Sequence, residues 1–305
     1  MEERHFILDT DIGPDCDDAA ALALAILYAR AQGRELDAVM HCTSSPYGVG
    51  TVRAIARWYG SSGLQVGTLK DPGFLSGEEA WEKYNKPLAL SVGPEEREAG
   101  DAVKLYRKLM AGWPDGSVDI VAVGPLRNLG NLLLSGPDEF SPLSGRELAA
   151  AKVRRLTMMA GDFSEGCDRA EWNVEMDIPS ARRLAQEWPG EMVYCGFEVG
   201  KEVILLKEPN ELDERNPVRR AYRLHTQGVG RPSWDPCTVQ WAMGDSKPYT
   251  LSRSGIIRVD EKGVTHFTED EKGRHYYLSL NAGPQAVAAD LERILAQADR
   301  ERTHD

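Results

Sequence analysis

Residues 9–18 read DTDIGPDCDD, and five of the ten are aspartate: Asp9, Asp11, Asp15, Asp17 and Asp18. The apolar stretch HFIL precedes them directly, and AAALALAIL follows directly. Both flanks must be buried, so five carboxylates are crowded at the joint between a buried strand and a buried helix. Ligand sites in parallel sheets gather at the carboxyl ends of strands. Asp9 and Asp11 stand where the first strand ends, Asp17 and Asp18 open the next helix, and Gly13 and Pro14 turn the chain so that the two pairs converge. A helix N-terminus favours a carboxylate by about 0.3–1 kcal/mol, which cannot neutralise four or five of them. The plain alternative has Asp17 capping the helix and the others facing water. Mutual repulsion argues instead for a hard divalent cation held by carboxylate and carbonyl oxygens, and the number of carboxylates favours Ca²⁺ over Mg²⁺, which keeps several of its waters.

The pattern beyond this joint predicts an α/β fold: a doubly wound, mostly parallel sheet with helices on both faces. Strands are expected at His5–Asp9, Leu36–Thr43, Leu64–Leu69, Val118–Val123, Val153–Ala160 and Met192–Glu198. Helices are expected between them at Asp17–Gln32, Val49–Tyr59, Ala102–Ala111, Leu126–Leu134 and Pro179–Trp188. After Leu206 the alternation stops: NPVRRAYRLHTQ and PCTVQWAM read as helices, residues 250–280 as a polar strand meander turning at DEKG and EDEKG, and Pro284–Ala298 as a last helix before a frayed tail. Residues 1–305 are read as a single domain, with an α/β core at 1–205, a covering subregion at 206–283 and the C-terminal helix at 284–300.

A net charge of −12 argues against a nucleic-acid partner, which needs clustered Lys and Arg. The five cysteines are odd in number and widely spaced without a C-x-x-C pair, a pattern of reduced thiols. MEERHF lacks the form of a secretory signal. The longest apolar run, Ala19 to Ala29, falls well short of the roughly 20 residues of a membrane span. These features together point to a cytoplasmic protein with no membrane or nucleic-acid partner.

Two chemistries place D-x-D after a first buried strand. Haloacid-dehalogenase-like phosphatases do so with Mg²⁺, but their further acidic pair lies on a distant segment, whereas here CDDAAAL follows at once. With that pair, the stretch resembles the signature D-x-D-x-G-x-D-D-A-x-A-L of the inosine–uridine nucleoside hydrolase family, with two extra loop residues and Asp15 unmatched. VAVGPLRNL (121–129) resembles the family's G-P-L-T-N segment. AEWNVEMDIPSA (170–181) is similar to A-E-F-N-x-x-x-D-P-x-A, GFEVG (196–200) to G-L-D-V-T, and WDPCTV (234–239) to the late H-D-P.

The resemblance implies Ca²⁺-dependent hydrolysis of the N-glycosidic bond of ribonucleosides, giving ribose and free base in purine or pyrimidine salvage and nucleoside catabolism. It implies Asp11, Asp18, the carbonyl of Val123 and Asp235 as Ca²⁺ ligands, with Asp11 also the general base toward a cation-activated water. Asp17, Glu171 and Asn173 would hold the ribose hydroxyls, and the family's habit is a homodimer or homotetramer. Carboxylates near an anomeric carbon also suit a developing oxocarbenium ion. Read without the resemblance, Glu171 and Asn173 are a loop-to-helix edge, and Asp235 before Pro236 is a helix N-terminus. A non-catalytic nucleoside or ribose binder of the same fold is the alternative reading.

Three positions depart from the family's pattern. A family Asn after the second strand falls at Ser45, and a second Asn before AEWN has no match, Cys167 or Asp168 lying nearest. The His before the late Asp is Trp234. An indole cannot protonate a leaving base but can stack on one. Trp172 reads as packing, turned away from its neighbours by strand or loop alternation. His225, in RLHTQGVGR, lies in the region that covers the pocket in the family and is a candidate to approach the base, the plainer reading being an exposed helix histidine.

Overall fold

The computed structural model describes residues 4–77 and 83–302. The first three residues of MEERHF and residues 303–305 lie outside them, and the tail expected to fray after Ala298 is helical as far as Arg302. The chain opens β1 (His5–Thr10), α1 (Asp17–Ala31), β2 (Ala38–His41), α2 (Gly48–Trp58), β3 (Gln65–Thr68), α3 (Asn85–Ala89), β4 (Gly100–Asp101), α4 (Ala102–Gly112), β5 (Val118–Ala122) and α5 (Arg127–Leu134). It continues with α6 (Gly145–Lys152), β6 (Val153–Met159), α7 (Trp172–Met176), α8 (Ile178–Glu187), β7 (Glu191–Cys195), α9 (Phe197–Gly200), β8 (Ile204–Leu205) and α10 (Pro217–Thr226). The last elements are β9 (Arg231–Pro232), α11 (Trp234–Met243), β10 (Tyr249–Leu251), β11 (Gly255–Val259), β12 (Thr265–Glu269), β13 (His275–Leu280) and α12 (Pro284–Arg302).

One mixed sheet runs in the order β12-β11-β13-β7-β6-β5-β1-β2-β3-β4, with β10 paired to β13. Every pair from β13 through β7, β6, β5, β1, β2 and β3 to β4 is parallel. β1 is the central strand, and five of its six residues are buried. Helices cover both faces. One apolar layer joins α1, α2, α11 and α12, and the other joins α4, α5, α6 and α8. The helix α1 lies between the sheet and α2, α10, α11 and α12. Its all-round burial explains why AAALALAIL carries no polar stripe: a helix enclosed on every side has no face to give to water.

The expected strands and helices through residue 195 form, with ends trimmed or moved by one or two residues. One expectation fails. The strand expected over Met192–Glu198 is shorter: β7 stops at Cys195, Gly196 is the N-cap of the next element, and Phe197–Gly200 forms a helical turn. The 206–283 stretch divides in two. β11–β13 extend the main sheet beyond β7, with Tyr276 opposite Val193, while α10, β9 and α11 come round to the carboxyl end of β1. No described helix is long and apolar enough to cross a membrane.

Candidate active site

The carboxyl end of β1 opens into a cavity of about 420 Å³ whose floor is acidic. Asp11, Asp17, Asp18 and Asp235 line it, and each is at most 5% exposed. A larger hollow of about 830 Å³ lies between β8, residues 207–212 and α12, but it gathers no buried charged cluster, so size does not identify the site.

The aspartate loop is held from several sides. Thr10 Oγ1 donates to Asp18 and accepts the amide of Ile12 at 3.1 Å. Asn85 Nδ2 donates to the Ile12 carbonyl (2.9 Å), and the Tyr84 hydroxyl to the Asp15 carbonyl (2.6 Å). Gly124, from the VGPLRN segment, lets the β5–α5 turn press against Asp11, since a Cβ there would lie 2.8 Å from the Asp11 nitrogen. Asp9 is not on the cavity wall. It accepts Tyr106 Oη (2.9 Å) and Asn128 Nδ2 (3.2 Å), tying β1 to α4 and α5, and burial pushes its pKa up to about 7.

Two helix N-termini meet at the floor. Asp17 and Asp18 lie in the first turn of α1, Asp235 lies in that of α11, and the Asp235 amide donates to Asp17 (3.1 Å). Both macrodipoles favour negative charge here, yet they do not balance it. Burial, then the charge of Asp15, pushes the Asp11 and Asp17 carboxyls well above the usual range. Burial, then Asp11, does so for Asp18, and burial, then Asp17, for Asp235. Asp15 behaves oppositely. Burial would raise it, but the hydrogen bond with Asp17 and the charge of Arg231 hold it below the usual value. Arg231 Nη2 reaches Asp15 at 2.8 Å and is the permanent cation among the described lining residues.

Buried carboxylates in excess of their counter-charges are the donor set of a hard divalent cation. Oxygens of Asp15, Asp17 and Asp18 lie within 4.8 Å of one another. Of these three, Asp15 is already neutralised by Arg231, so the uncompensated charge rests on Asp17 and Asp18 together with Asp11 and Asp235. The carbonyl of Val123 borders the same space and accepts Asn173 Nδ2 at 3.3 Å.

One wall is built from the AEWN segment. Glu171 caps α7 and accepts the amides of Asn173 (2.8 Å), Gly161 (3.1 Å) and Val174 (3.4 Å), but burial outweighs these donors and lifts its pKa to about 7. Asn173 Nδ2 also meets the Met159 carbonyl at 3.1 Å, so its donor end is engaged. Trp172 borders the cavity at 38% exposure instead of turning away, because residues 171–173 begin a helix and do not alternate as a strand would.

The mouth is aromatic. Trp234 stacks on Phe197 with centroids 5.3 Å apart, its Nε1 donates to the Phe197 carbonyl (2.7 Å), and the Arg231 guanidinium lies 5.3 Å from its ring. His225, on α10, completes this edge beside Tyr84.

The structure therefore brings Asp11, Asp17, Asp18, Val123, Glu171, Asn173, Trp234 and Asp235 to one cavity. It does not bring Ser45 there. SSPYG turns away after β2, Ser45 accepts the Tyr47 amide at 3.3 Å, and it lines a separate hollow with Lys70 and Asp71. Neither Cys167 nor Asp168 lines the cavity. Phe197, Arg231 and Met159 were missed by sequence reasoning. Arg231, three residues before Trp234 in GRPSWDP, carried the one usable signal: a basic residue beside an acidic motif.

The family model described as inosine-uridine preferring nucleoside hydrolase matches residues 6–289. The non-specific ribonucleoside hydrolase RihC of Salmonella newport is 27% identical over 285 residues, covering 85% of this chain and 84% of that protein. Among solved structures, the purine-preferring ribonucleoside hydrolase of Gardnerella vaginalis superposes with a TM-score of 0.76 at 15% identity, covering 98% of this chain and 100% of that one. The inosine-uridine preferring nucleoside hydrolase of Bacillus anthracis gives 0.72 at 18% identity, covering 97% and 99%. These two likenesses concern the fold.

Proposed function

Because the chain belongs to the inosine-uridine preferring nucleoside hydrolase family and is a hydrolase acting on N-glycosyl compounds, we propose that it cleaves the N-glycosidic bond of ribonucleosides with the help of Ca²⁺ held by Asp11, Asp18, the Val123 carbonyl and Asp235. The observation that carries the metal is the floor itself: four buried aspartates converge there, and the nearby cation, Arg231, is paired to a fifth. When bound, the cation supplies Lewis acidity to a water beside the anomeric carbon. The D-x-D pair no longer calls for a phosphatase, since the acidic partners that complete it come from its own loop and from α11.

The chain's own residues have separable tasks. Asp11 takes the proton of the attacking water as general base. Asp17, Glu171 and Asn173 hold the ribose hydroxyls, and the surrounding carboxylates favour positive charge developing on the ring. Trp234 and Phe197 give the base an apolar flank. The setting we infer is cytoplasmic salvage or catabolism of purine and pyrimidine nucleosides by a homodimer or homotetramer; five unpaired cysteines agree with a reducing compartment.

Incubation with a panel of nucleosides and nucleotides, assayed for free ribose, free phosphate and simple binding, tests this reading. Ribose release from ribonucleosides supports it. Binding without turnover would identify a nucleoside binder, and phosphate release would restore the phosphatase.

A further inference from the structure

Two buried nitrogens at the mouth of the cavity have no hydrogen-bond partner among the described residues: Arg231 Nε, always a donor, and His225 Nδ1, a donor when it carries the proton. Both residues line the same space as the Phe197–Trp234 stack. An unpaired buried donor costs roughly 1–3 kcal/mol, so two at one edge mark a place where an acceptor is expected to bind. On the proposed reaction, the part of the substrate that offers apolar faces and ring acceptors together is the base.

The leaving base departs as an anion unless something protonates it, and Trp234 cannot. Its N–H is committed to the Phe197 carbonyl, and its ring already meets Phe197 and Arg231. Arg231 can donate a hydrogen bond but cannot release the proton, because a guanidinium stays charged. Asp15 is held ionised by Arg231. Glu171 stands with the backbone of α7, committed to three amides. That leaves one group on the mouth with a transferable proton.

We propose that His225 is the general acid of this enzyme, donating the Nδ1 proton to a ring nitrogen of the leaving base while Arg231 Nε holds an acceptor of the same ring. This rests on the N-glycosidic reading above. As the C1′–N bond breaks, its electron pair goes to the base, which takes the proton from imidazolium. Water oxygen bonds to C1′, its proton passes to Asp11, and solvent returns a proton to His225 as Asp11 gives one up. The groups facing His225 set its charge: Asp15 favours the protonated ring, whereas burial, Arg231 and Lys83 oppose it, with the Tyr84 ring edge-on. Burial leads, so the ring sits below its usual pKa: fewer molecules carry the imidazolium at neutral pH, but the imidazolium that forms is a stronger acid toward the base.

The test is to measure kcat for inosine and for p-nitrophenyl riboside with the wild type, His225→Gln and His225→Phe. The phenyl ring of the second variant keeps a ring against Tyr84. General acid catalysis is worth roughly 10²–10⁴ in rate. Both variants should therefore lose about 10²-fold or more on inosine, while p-nitrophenolate, which leaves without a proton, should be released at near wild-type rate. Equal losses on the two substrates, or no loss on inosine, would overturn the assignment. A wild type that releases ribose from neither substrate would instead sink the parent reading and this one with it.

Discussion

The floor and the mouth of the cavity are built on opposite principles. The floor holds like charges in excess: Asp11 just past β1, Asp17 and Asp18 at the N-terminus of α1 and Asp235 at that of α11 are buried, each with its pKa pushed up. The mouth holds a balanced pair, Asp15 with Arg231, an aromatic stack, and donors without acceptors. Unmatched carboxylates need a cation, and unmatched donors beside aromatic faces need a heterocycle. A nucleoside hydrolase must bind both a metal-assisted ribose and a base, and the two ends of one cavity divide that work. On the proposed function, water activation falls to the floor and protonation of the leaving base to the mouth.

The largest effect should come from the floor. Asp18→Ala is expected to abolish Ca²⁺-dependent stabilisation and to lower ribose release by at least about 10³-fold. Differential scanning calorimetry reads the first part: Ca²⁺ at 100 times its Kd should stabilise the wild type by about 2.7 kcal/mol and leave the variant unmoved. A variant that retains the Ca²⁺ response would remove Asp18 from the ligand set.

Next comes the sugar. A site built to hydrogen-bond a hydroxyl leaves its groups unpaired when that hydroxyl is missing. With Asp17, Glu171 and Asn173 on the diol, 2′-deoxyinosine should react about 10²-fold or more slowly than inosine. Comparable kcat/KM values on the two sugars would detach these residues from the hydroxyls.

For Trp234, at the mouth, the expected loss is smaller. Trp234 supports Phe197 and lies against Arg231, and a cation over an aromatic face gains about 0.5–2 kcal/mol. Trp234→Ala should accordingly lower kcat for inosine by roughly 2–30-fold and spare p-nitrophenyl riboside. Similar losses on both substrates in a folded variant would make Trp234 a packing residue only.

The last expected effect is a pH slope. Glu171, raised to about 7, is needed as a carboxylate to accept a hydroxyl. Its protonation should lower kcat/KM about tenfold per unit below pH 7. The stability sign is opposite: the folded form holds this proton more tightly than the unfolded chain, so its contribution is present below the unfolded pKa of about 4.5 and is lost as pH rises through 7. Glu171→Gln should remove Glu171's share of the acid limb and leave that of the general base Asp11; a wild-type kcat/KM flat between pH 5 and 7 would contradict the assignment.

The same comparison explains what the sequence reveals. The floor is legible because three of its four aspartates, Asp11, Asp17 and Asp18, are packed into ten residues between two buried segments, the fourth, Asp235, is marked by its own WDP segment, and the sheet order places Val123 and AEWN beside them. The alternation that marks the strands also marks the switch to α10, β9 and α11. The mouth is harder because its contacts are long-range: Arg231 meets Asp15 across 216 residues, and Phe197 becomes a wall only because β7 ends at Cys195. Gly196 is the local mark of that turn, but the apolar run MVYCGFEV reads through it as one strand. Ser45 fails for a related reason, since motif spacing locates the end of β2 but not the direction in which SSPYG leaves it.

The central claim is that a divalent cation on the aspartate floor makes this chain a ribonucleoside N-glycosidase. Its most direct test is the release of free ribose from inosine by protein stripped with a chelator, followed as Ca²⁺ is added back. The account predicts no measurable ribose from the stripped protein and saturable recovery of activity with Ca²⁺. Full activity in the stripped, metal-free protein, or none at any Ca²⁺ concentration, would contradict it.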